Sequence, residues 1–557
     1  MSGATRSWSL AERAAELDRA ERDGVDLLVV GGGITGAGVL RDAASRGLRA
    51  FLVERDDFAC GTSSRSSKLI HGGLRYVGEG HLALTRQACR ERDRLLELDP
   101  QLVRPLPFLF PAYERSRVSL WQVRAALWIY AALANFRPTS RFRMLAPDEL
   151  AQYAPDLCSE GLRGAGLYVD AQVDDARLVL ETLKSARALG ATAANHAELV
   201  EFLRGPDGRI SGAQVCDALS GRWRRIRAQA VVNAAGPAVE RVRGLDRPLA
   251  APELRPAKGV HLVIPSGRLR IAAAVTFEGG DGRHLFVAPW DDVVLIGTTD
   301  TFSDEIDEPV VTIREVHYLL AAANQAFPRA GLNTNDLLSV FAGVRPLAAG
   351  ADEAKPPSSV SREHRIRRDA SGLLSASGGK LTTFRAMGES VVDQVVRRLP
   401  RDRRRALGPS RTAQLPLRPE SFERGELESE LCARFGVARP RAEHLVRSYG
   451  ADAAVLLSEA EPELLRPIGT SRYTLAEIPW SFATECPVTL CDLLERRLRL
   501  AVFAAGQGLP ELAEIAQTAA SAAGWDPQRA REEAAAYAAA VRRSYQIVAS
   551  PAERSAA

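Results

Sequence analysis

Three glycines near the start of the chain, Gly31, Gly33 and Gly36, have the GxGxxG spacing of a phosphate-binding turn. They follow the apolar run 25–30 and precede a helix-like stretch. Glu54, which ends a second apolar run, lies 18 residues beyond Gly36. In this pattern the glycines permit a tight turn, a close backbone approach to a pyrophosphate, and close packing of helix on strand. The free amides at the helix N-terminus stabilise phosphates, and the carboxylate accepts hydrogen bonds from ribose hydroxyls. The segment predicts a dinucleotide site, without distinguishing FAD from NAD, with contacts at Gly31, Gly33, Ile34, Thr35, Gly36 and Glu54.

A second segment, residues 60–76, is a polar loop with the sequence CGTSSRSSKLIHGGLRY. Its backbone amides and its serine and threonine hydroxyls can surround a phosphate and a flat polar ring. Serines without a paired base do not indicate a nucleophile, so we interpret them as cofactor contacts. The candidate cofactor residues of this loop are Thr62, Ser63, Ser64, Ser67, Lys68, Leu69, His71, Gly72 and Gly73.

This loop resembles the TSS-x-SSKLIHGGLRY loop of the FAD-dependent glycerol-3-phosphate dehydrogenases, respiratory flavoproteins of the D-amino-acid-oxidase-like superfamily. The resemblance covers about residues 25–399 and departs from the family at Phe384, where Tyr is frequent, and at Ala238, where Trp is common. Both departures affect local packing rather than chemistry. Further segments resemble family motifs in the family's order: VDDARL at 173–178, VVNAAGP at 231–237, KGVH at 258–261, PW at 289–290, GTTD at 297–300, GVRPL at 343–347 and GGKLTTFR at 378–385.

The resemblance implies tightly bound, non-covalent FAD rather than NAD, and oxidation of sn-glycerol 3-phosphate to dihydroxyacetone phosphate. In that reaction a hydride leaves C2 for flavin N5 while a base accepts the C2 hydroxyl proton. The electrons are expected to pass to a membrane quinone. The resemblance also implies cofactor contacts at Ala235, Gly236, Gly343, Arg345, Gly379, Lys380, Leu381 and Thr382.

The phosphate group of such a substrate requires cations. Arginine suits bidentate phosphate recognition and lysine supplies a point charge. Arg345 lies in the apolar, turn-bounded segment GVRPL, and Lys380 is one of only five lysines against 68 arginines. The candidate substrate-binding residues are Arg75, Tyr76, Arg345, Lys380 and Arg385.

The base that accepts the hydroxyl proton is left open by the sequence. A neutral imidazole near pH 7 suits this role, and both His71 and His261 lie in glycine-containing motifs. A lysine or a water molecule is the alternative. The candidate catalytic residues are His71, His261, Arg345 and Lys380.

The elements around these motifs predict an α/β fold. We expect a Rossmann-like FAD-binding domain interrupted by an antiparallel-sheet substrate or cap domain (α+β), followed by a C-terminal helical domain. The expected order is an N-terminal extension at 1–23, the FAD-dependent oxidoreductase region at 24–400, a connector at 401–418, the helical domain at 419–548 and a tail at 549–557. Within the second region the FAD-binding segments are about 24–100, 170–245 and 335–400, and the cap segments are about 101–169 and 246–334.

The composition of the chain excludes several other classes of protein. The chain has 557 residues, of which 46% are hydrophobic and 25% charged, and a net charge of +4. These values are typical of a globular protein and exclude a collagen-like or polytopic membrane chain. Seven scattered cysteines without CxxC spacing predict neither a disulfide framework nor a zinc site, and no histidine or acidic cluster has metal-ligand spacing. A near-balanced charge predicts no nucleic-acid partner, the only contrary signal being the RWRR run at 222–225.

One apolar segment, residues 125–136, is too short to span a membrane but has aromatic residues and flanking arginines. This pattern is typical of a helix that lies in the membrane interface; a buried helix of the cap domain is the alternative. With no secretory signal, we expect a cytoplasmic protein attached peripherally to the inner face of the cytoplasmic membrane. Two other functions stay open, namely an oxidase of the same fold that uses oxygen and a flavin-binding protein that modifies or binds RNA. A homodimer is one option for its assembly.

Overall fold

The computed structural model of the protein describes residues 7–249, 251–347, 363–420 and 422–548, so the tail expected at 549–557 lies outside the described residues. Its strands are β1 Val25–Val30, β2 Ala50–Val53, β3 Leu69–Ile70, β4 Arg104–Tyr113, β5 Arg143–Leu145, β6 Leu162–Gln172, β7 Thr192–Ala194, β8 Ala197–Arg204, β9 Ile210–Asp217, β10 Trp223–Asn233, β11 Ala257–Pro265, β12 Ala274–Glu278, β13 His284–Trp290, β14 Val293–Gly297, β15 Thr301–Phe302, β16 Val311–Thr312, β17 Ser339–Arg345, β18 Arg365–Arg368, β19 Leu374–Ser377 and β20 Ile547–Val548.

The helices separate and follow these strands. They are α1 Leu10–Asp23, α2 Ile34–Ser45, α3 Arg75–Gly78, α4 Leu82–Leu98, α5 Leu120–Leu133, α6 Asp175–Ala188, α7 Val239–Gly244, α8 Ile313–Ala326, α9 Phe384–Val396, α10 Arg401–Arg405, α11 Arg424–Phe435, α12 Arg439–Tyr449, α13 Asp452–Glu459, α14 Glu477–Thr484, α15 Leu490–Asp492, α16 Leu500–Phe503, α17 Leu512–Ala523 and α18 Pro527–Ser544.

The first sheet has the order β18-β19-β10-β1-β2-β7, with the β8–β9 hairpin attached to β10. Strands β19, β10, β1, β2 and β7 are parallel. The apolar run of β1 is buried on both faces, as in α/β proteins whose sheets carry helices on each side. Helix α2 packs against α6 and α9 on one face, and α1 with the hairpin covers the other. This arrangement confirms the predicted Rossmann-like domain.

The second sheet is largely antiparallel, with the order β15-β11-β14-β13-β12-β4-β6-β3. Strand β17 also pairs with β11, and β5 pairs with β6. Two strands of this sheet, β3 and β17, come from segments that were expected to belong to the FAD-binding domain. In the structure β3 pairs with β6 and β17 pairs with β11. As a result, the loop before β3 and the end of β17 lie where the two sheets meet.

The N-terminal extension is an integral part of the first domain rather than an overhang. Ser9 and Glu12 form a capping box that begins α1. Trp8 is 1% exposed and packs on Phe58, with ring centroids 5.0 Å apart. The buried guanidinium of Arg13 lies 2.7 Å from the carboxylate of Asp217. The Arg13–Asp217 pair thus holds α1 against the β8–β9 hairpin, and Trp8 packs on the loop that follows β2.

The C-terminal helices pack directly on the second sheet. Apolar side chains of β11, β13 and β17, among them Val263, Trp290 and Phe341, share one core with α14 to α18. The expected connector is ordered as well, since Arg418 forms a 3.1 Å ion pair with Glu181 of α6. Among the described residues, no helix combines the length and the apolar character needed to cross a bilayer.

Candidate active site

A cavity of about 1060 Å³ lies where the two sheets and the C-terminal helices meet. This volume is at the upper end of the range for small-molecule and cofactor sites. Most of the residues predicted from the sequence line it, namely Gly31, Gly33, Ile34, Thr35, Glu54, Thr62, Ser63, Ser67, Leu69, His71, Tyr76, Ala235, Gly236, His261, Gly343, Arg345, Gly379, Lys380, Leu381 and Thr382. The structure therefore brings together motifs that are as far apart in the sequence as Gly31 and Thr382.

The phosphate turn has the geometry that its glycines predict. Gly31 has φ +109°, and a Cβ on Gly36 would lie 1.9 Å from the carbonyl oxygen of Gly31. Gly36 therefore packs behind the turn instead of facing the cavity. Helix α2 begins at Ile34, whose backbone N–H donates to the hydroxyl of Ser63 at 2.9 Å. The N-terminus of α2, which favours negative charge, thus faces the cavity.

Glu54 ends β2 at the cavity wall and is held by the turn itself. Its Oε2 accepts the backbone N–H of Gly32 at 2.5 Å, and its Oε1 accepts that of Asp56 at 3.0 Å. Burial raises the pKa of this carboxyl, which the two backbone hydrogen bonds oppose. Its position beside the turn is the one from which a carboxylate accepts a ribose hydroxyl.

Asp175, in the VDDARL segment, holds the polar loop in place, a role for which its sequence motif gave no signal. Its carboxylate accepts from the backbone N–H and the hydroxyl of Ser66, at 2.9 and 2.7 Å, and from Lys68 Nζ at 2.8 Å. Lys68 was predicted to contact the cofactor, but its side chain lies behind the cavity wall and is 1% exposed. Burial lowers the pKa of its ammonium group to about 8. Ser64 is likewise buried, and its carbonyl accepts from Lys68 and Arg499.

Two glycines of the loop lie behind the wall instead of facing the cavity. A Cβ on Gly72 would come within 2.3 Å of the Tyr130 hydroxyl, and one on Gly73 within 2.3 Å of the Tyr76 ring. Both glycines are needed for close packing, and they position the neighbouring His71 and Tyr76, which do line the cavity.

The cationic part of the cavity contains Arg345 and Lys380. Arg345 donates from Nη1 to Asp300 at 2.9 Å and from Nη2 to the Thr298 hydroxyl at 3.0 Å. A Cβ on Gly259 would lie 2.3 Å from the same guanidinium, so this glycine provides space for it. The ammonium of Lys380 lies 3.7 Å from the centre of the Tyr76 ring.

Two predicted substrate-binding arginines lie outside this lining. Arg385 is an ion-pairing residue of α9, with its guanidinium 2.7 Å from both Glu91 and Glu389. Arg75 pairs with Glu79 one helical turn away, at 3.0 Å. The buried carboxylate of Glu91 holds the Arg385 guanidinium away from the cavity. The Arg75 guanidinium, in contrast, lies 5.3 Å from the centre of the ring of Tyr76, which lines the cavity.

The two candidate histidines have different surroundings. His261 is 2% exposed, stacks on Phe341 with ring centroids 4.8 Å apart, and has Nε2 2.9 Å from the Ser67 hydroxyl. Burial, together with the charges of Arg345 and Lys68, holds its pKa well below the usual range. His71 is partly exposed, and its backbone N–H donates to the Thr382 hydroxyl at 3.0 Å.

The C-terminal domain forms part of the cavity wall, which no motif in the sequence indicated. Its lining residues come from α15, from the turn after it and from α18, and they include Asp492, Arg496, Glu533 and Arg543. Arg496 also pairs with Asp57, just after Glu54, at 2.5 Å. A buried cluster of carboxylates and guanidiniums thus joins the domain to the loop that follows β2.

The residues present fit FAD. Close backbone approach at Gly31, a helix N-terminus, a carboxylate at the end of β2 and a hydroxyl-rich loop are the parts of a dinucleotide site. Thr62 and Gly343 bring β17 against this loop, since the Thr62 hydroxyl donates to the Val344 carbonyl and a Cβ on Gly343 would lie 2.3 Å from the Arg65 carbonyl oxygen.

Comparisons with known proteins agree with this site. Residues 26–394 match the family model of FAD dependent oxidoreductases, and residues 410–530 match the C-terminal domain of alpha-glycerophosphate oxidase. The aerobic glycerol-3-phosphate dehydrogenase of Staphylococcus aureus (strain USA300) is 36% identical over 484 residues, which are 85% of this chain and 86% of that protein.

Solved structures of FAD-containing enzymes are also similar to this chain. The glycerol-3-phosphate dehydrogenase from Bacillus halodurans complexed with FAD has 31% identity and a TM-score of 0.78, with 96% of this chain and 98% of that chain covered. The L-alpha-glycerophosphate oxidase from Mycoplasma pneumoniae shares the fold, with 19% identity, a TM-score of 0.52 and coverage of 67% and 94%. The cofactor of this chain is FAD, and the chain belongs to the FAD-dependent glycerol-3-phosphate dehydrogenase family.

Proposed function

We propose that the protein oxidises sn-glycerol 3-phosphate to dihydroxyacetone phosphate and passes the electrons to a membrane quinone. The observation that carries this proposal is one cavity that contains both a dinucleotide cradle and the cations Arg345 and Lys380. The substrate is the one that the names of the relatives give for those proteins.

Arg345 and Lys380 bind the substrate phosphate in this proposal. Arg345 is oriented before substrate arrives, because Asp300 and Thr298 hold two of its nitrogen atoms. A pre-oriented guanidinium loses little side-chain freedom when a phosphate binds. The Tyr76 ring keeps the ammonium of Lys380 within the site through a cation–π contact.

His71 is the base in this proposal. FAD, when bound, supplies the chemistry that takes the hydride from the substrate carbon. A base works best when its pKa lies near the operating pH, and His261 resists protonation because it is buried beside two cations. His71 lies at the cavity wall with its backbone fixed by Thr382. His261 then acts through Ser67, whose orientation it controls.

We also propose that α5 attaches the protein to the inner face of the cytoplasmic membrane. Its outer face exposes Trp121, Trp128 and Ile129, at 71%, 59% and 41% of their surfaces, while Leu127 and Tyr130 are buried. Phe136 follows the helix, packs edge-on against Trp128 and is 58% exposed. Partial burial of such a face, with arginines at its ends for anionic headgroups, supports reversible adsorption.

The run at 222–225 gives little support to an RNA-binding function. Arg224 is 2% exposed and pairs with Asp18, and the guanidinium of Arg222 lies 3.7 Å from the same carboxylate. These side chains pack β10 against α1. A homodimer stays a prediction.

Product analysis tests this function. The flavin-loaded protein is incubated with sn-glycerol 3-phosphate and either a short-chain quinone or oxygen, and dihydroxyacetone phosphate and peroxide are measured. We expect the product with quinone and little peroxide with oxygen. Efficient peroxide formation would instead identify an oxidase, and no product with either acceptor would reject the substrate.

A further inference from the structure

One carboxylate oxygen behind the cavity accepts three hydrogen bonds. Asp170 lies on β6 and is 2% exposed. Its Oδ1 accepts from Arg92 Nη1 of α4 at 2.6 Å, from the Tyr130 hydroxyl of α5 at 2.7 Å and from the backbone N–H of Gly72 at 3.3 Å. Arg92 and Tyr130 are buried as well, at 0% and 1% exposure. A single buried group thus connects two helices and a strand to the loop at 60–76.

Gly72 packs directly against the network formed by Asp170, Arg92 and Tyr130. A Cβ at this position would lie 2.3 Å from the Tyr130 hydroxyl and 2.4 Å from Cys89 Sγ. The loop therefore approaches the network as closely as a backbone can. Close-packed interiors transmit strain, so we expect a shift of Tyr130 or Asp170 to move the loop as well.

His71, just before this contact, and Tyr76, four residues after it, both line the cavity. His71 precedes it and is fixed on its other side by Thr382, whose hydroxyl lies 3.0 Å from the His71 nitrogen and 3.2 Å from its carbonyl oxygen. Gly73 follows with φ +83° and turns the chain into α3, which carries Tyr76. His71 is one residue, and Tyr76 four residues, from the backbone position that Asp170 holds.

The network is charge-assisted, which makes it stiff. Arg92 balances the charge of Asp170 and also lies 2.8 Å from Asp93. Its Nη1 donates to the Tyr130 hydroxyl at 3.3 Å, so the three side chains form a closed set of contacts. Hydrogen bonds with an ionised partner are roughly twice as strong as neutral ones, and buried networks with satisfied partners are rigid.

We propose that Asp170 is a positioning residue for the oxidation: by holding Gly72 it fixes His71 and Tyr76 in the geometry that the reaction requires. This inference rests on the proposed function, since it assigns a task to residues that act in that reaction. Asp170 does not line the cavity, so its effect passes through the loop.

The test uses the full-length protein with FAD bound. Tyr130→Phe removes one of the three donors while keeping the ring, and Asp170→Asn removes the charge but keeps an acceptor. Tyr168→Phe is the matched control. Tyr168 is a buried tyrosine of the same core and packs edge-on against the Tyr130 ring, but its hydroxyl hydrogen-bonds to the side chain of Thr276. Flavin content, thermal midpoint and anaerobic flavin reduction by sn-glycerol 3-phosphate are measured for each variant.

We expect the limiting rate of flavin reduction in Tyr130→Phe to fall about 3- to 10-fold, the range for one net hydrogen bond. The apparent Kd of the substrate should change less, because Arg345 is untouched, and flavin content should equal that of Tyr168→Phe. Asp170→Asn should show a larger loss of the same kind; if it does not accumulate, Tyr130→Phe alone decides. A Tyr130→Phe rate equal to that of the control, or a loss that follows flavin content, overturns the inference. Wild-type flavin that the substrate does not reduce rejects the proposed function instead.

Discussion

The guanidinium of Arg345 lies 2.9 Å from the carboxylate of Asp300, at the end of β17 and beside the cavity. The pair is partly exposed, with 18% and 10% of the two side chains accessible. Asp300 and the Thr298 hydroxyl fix the plane of the guanidinium, so that its fork has a defined direction. Arginine forms strong, often bidentate, charge-assisted hydrogen bonds with phosphate groups as well as with carboxylates.

Replacing Arg345 should therefore lower the catalytic efficiency without emptying the cofactor site. A charge-assisted hydrogen bond contributes about 1.5–3 kcal/mol, so Arg345→Ala should lower kcat/KM for sn-glycerol 3-phosphate about 10- to 100-fold. Arg345→Lys should recover only part of this, because the charge returns without the fork. Steady-state kinetics of flavin-matched samples are the measurement. Loss of FAD and a lower thermal midpoint, with normal kinetics of the loaded fraction, would make Arg345 a structural residue of the turn.

Glu54 should control FAD retention. Its carboxylate is held by the amides of Gly32 and Asp56 at the place where a ribose hydroxyl would bond. Glu54→Arg removes that acceptor and puts a bulky cation into the cavity wall, so the purified variant should contain little flavin. Glu201→Arg, an exposed residue of β8, is the control for the added charge. Equal flavin-to-protein ratios in the two variants would remove Glu54 from the cofactor site.

The outer face of α5 should determine adsorption to lipid. Trp128→Glu should weaken flotation with anionic vesicles, since it puts a carboxylate where an indole is expected to enter the headgroup region. Trp223→Glu is a close match, because Trp223 is 56% exposed against 59% for Trp128 but lies on β10. We expect the control to float like the wild type. If both variants float equally, α5 is not the attachment site.

The contact between His196 and Asp492 should give the domain junction a pH dependence. Burial disfavours the imidazolium, but the hydrogen bond to Asp492 at 2.9 Å and the charge of that carboxylate outweigh it and raise the pKa of His196. A raised folded pKa adds stability that is fully present below the unfolded pKa of about 6.5 and is lost as pH rises through the folded value.

The stability advantage of the wild type over His196→Gln should therefore be largest near pH 6 and should shrink as the pH rises. Thermal midpoints of both proteins over this range test it. A difference that does not change with pH would show that His196 contributes only by packing.

The sequence predicted the parts of the site whose chemistry is local. Gly31, Gly33 and Gly36 were predicted to make a turn on α2, and Arg345 and Lys380 were predicted to share a site, because a glycine turn and a phosphate-matched cation each have a sequence signature. Lys68 and Arg385 pair instead with Asp175 and Glu91, which are far away in the sequence, and neither lines the cavity. Whether a charged side chain faces a cavity or a buried carboxylate depends on tertiary packing, which spacing does not encode.

The fold, like the site, has features that the local sequence predicts and features that depend on tertiary packing. The apolar run 25–30 forms strand β1 with the same limits, because a continuous apolar run is a local property of the sequence. The assignment of β3 and β17 to the second sheet depends on hydrogen bonds to β6 and β11, and the wall formed by α18 depends on domain packing. Neither leaves a pattern within the segments concerned.

Anaerobic addition of sn-glycerol 3-phosphate to the flavin-loaded protein tests the central claim most directly. Because the proposed reaction moves two electrons from the substrate to the bound cofactor, the visible flavin absorption should bleach in proportion to the substrate added. Glycerol at the same concentration should leave the spectrum unchanged, since it lacks the phosphate that Arg345 and Lys380 are proposed to bind. A flavin that dithionite reduces but sn-glycerol 3-phosphate leaves oxidised would contradict the assignment of this cavity to glycerol 3-phosphate oxidation.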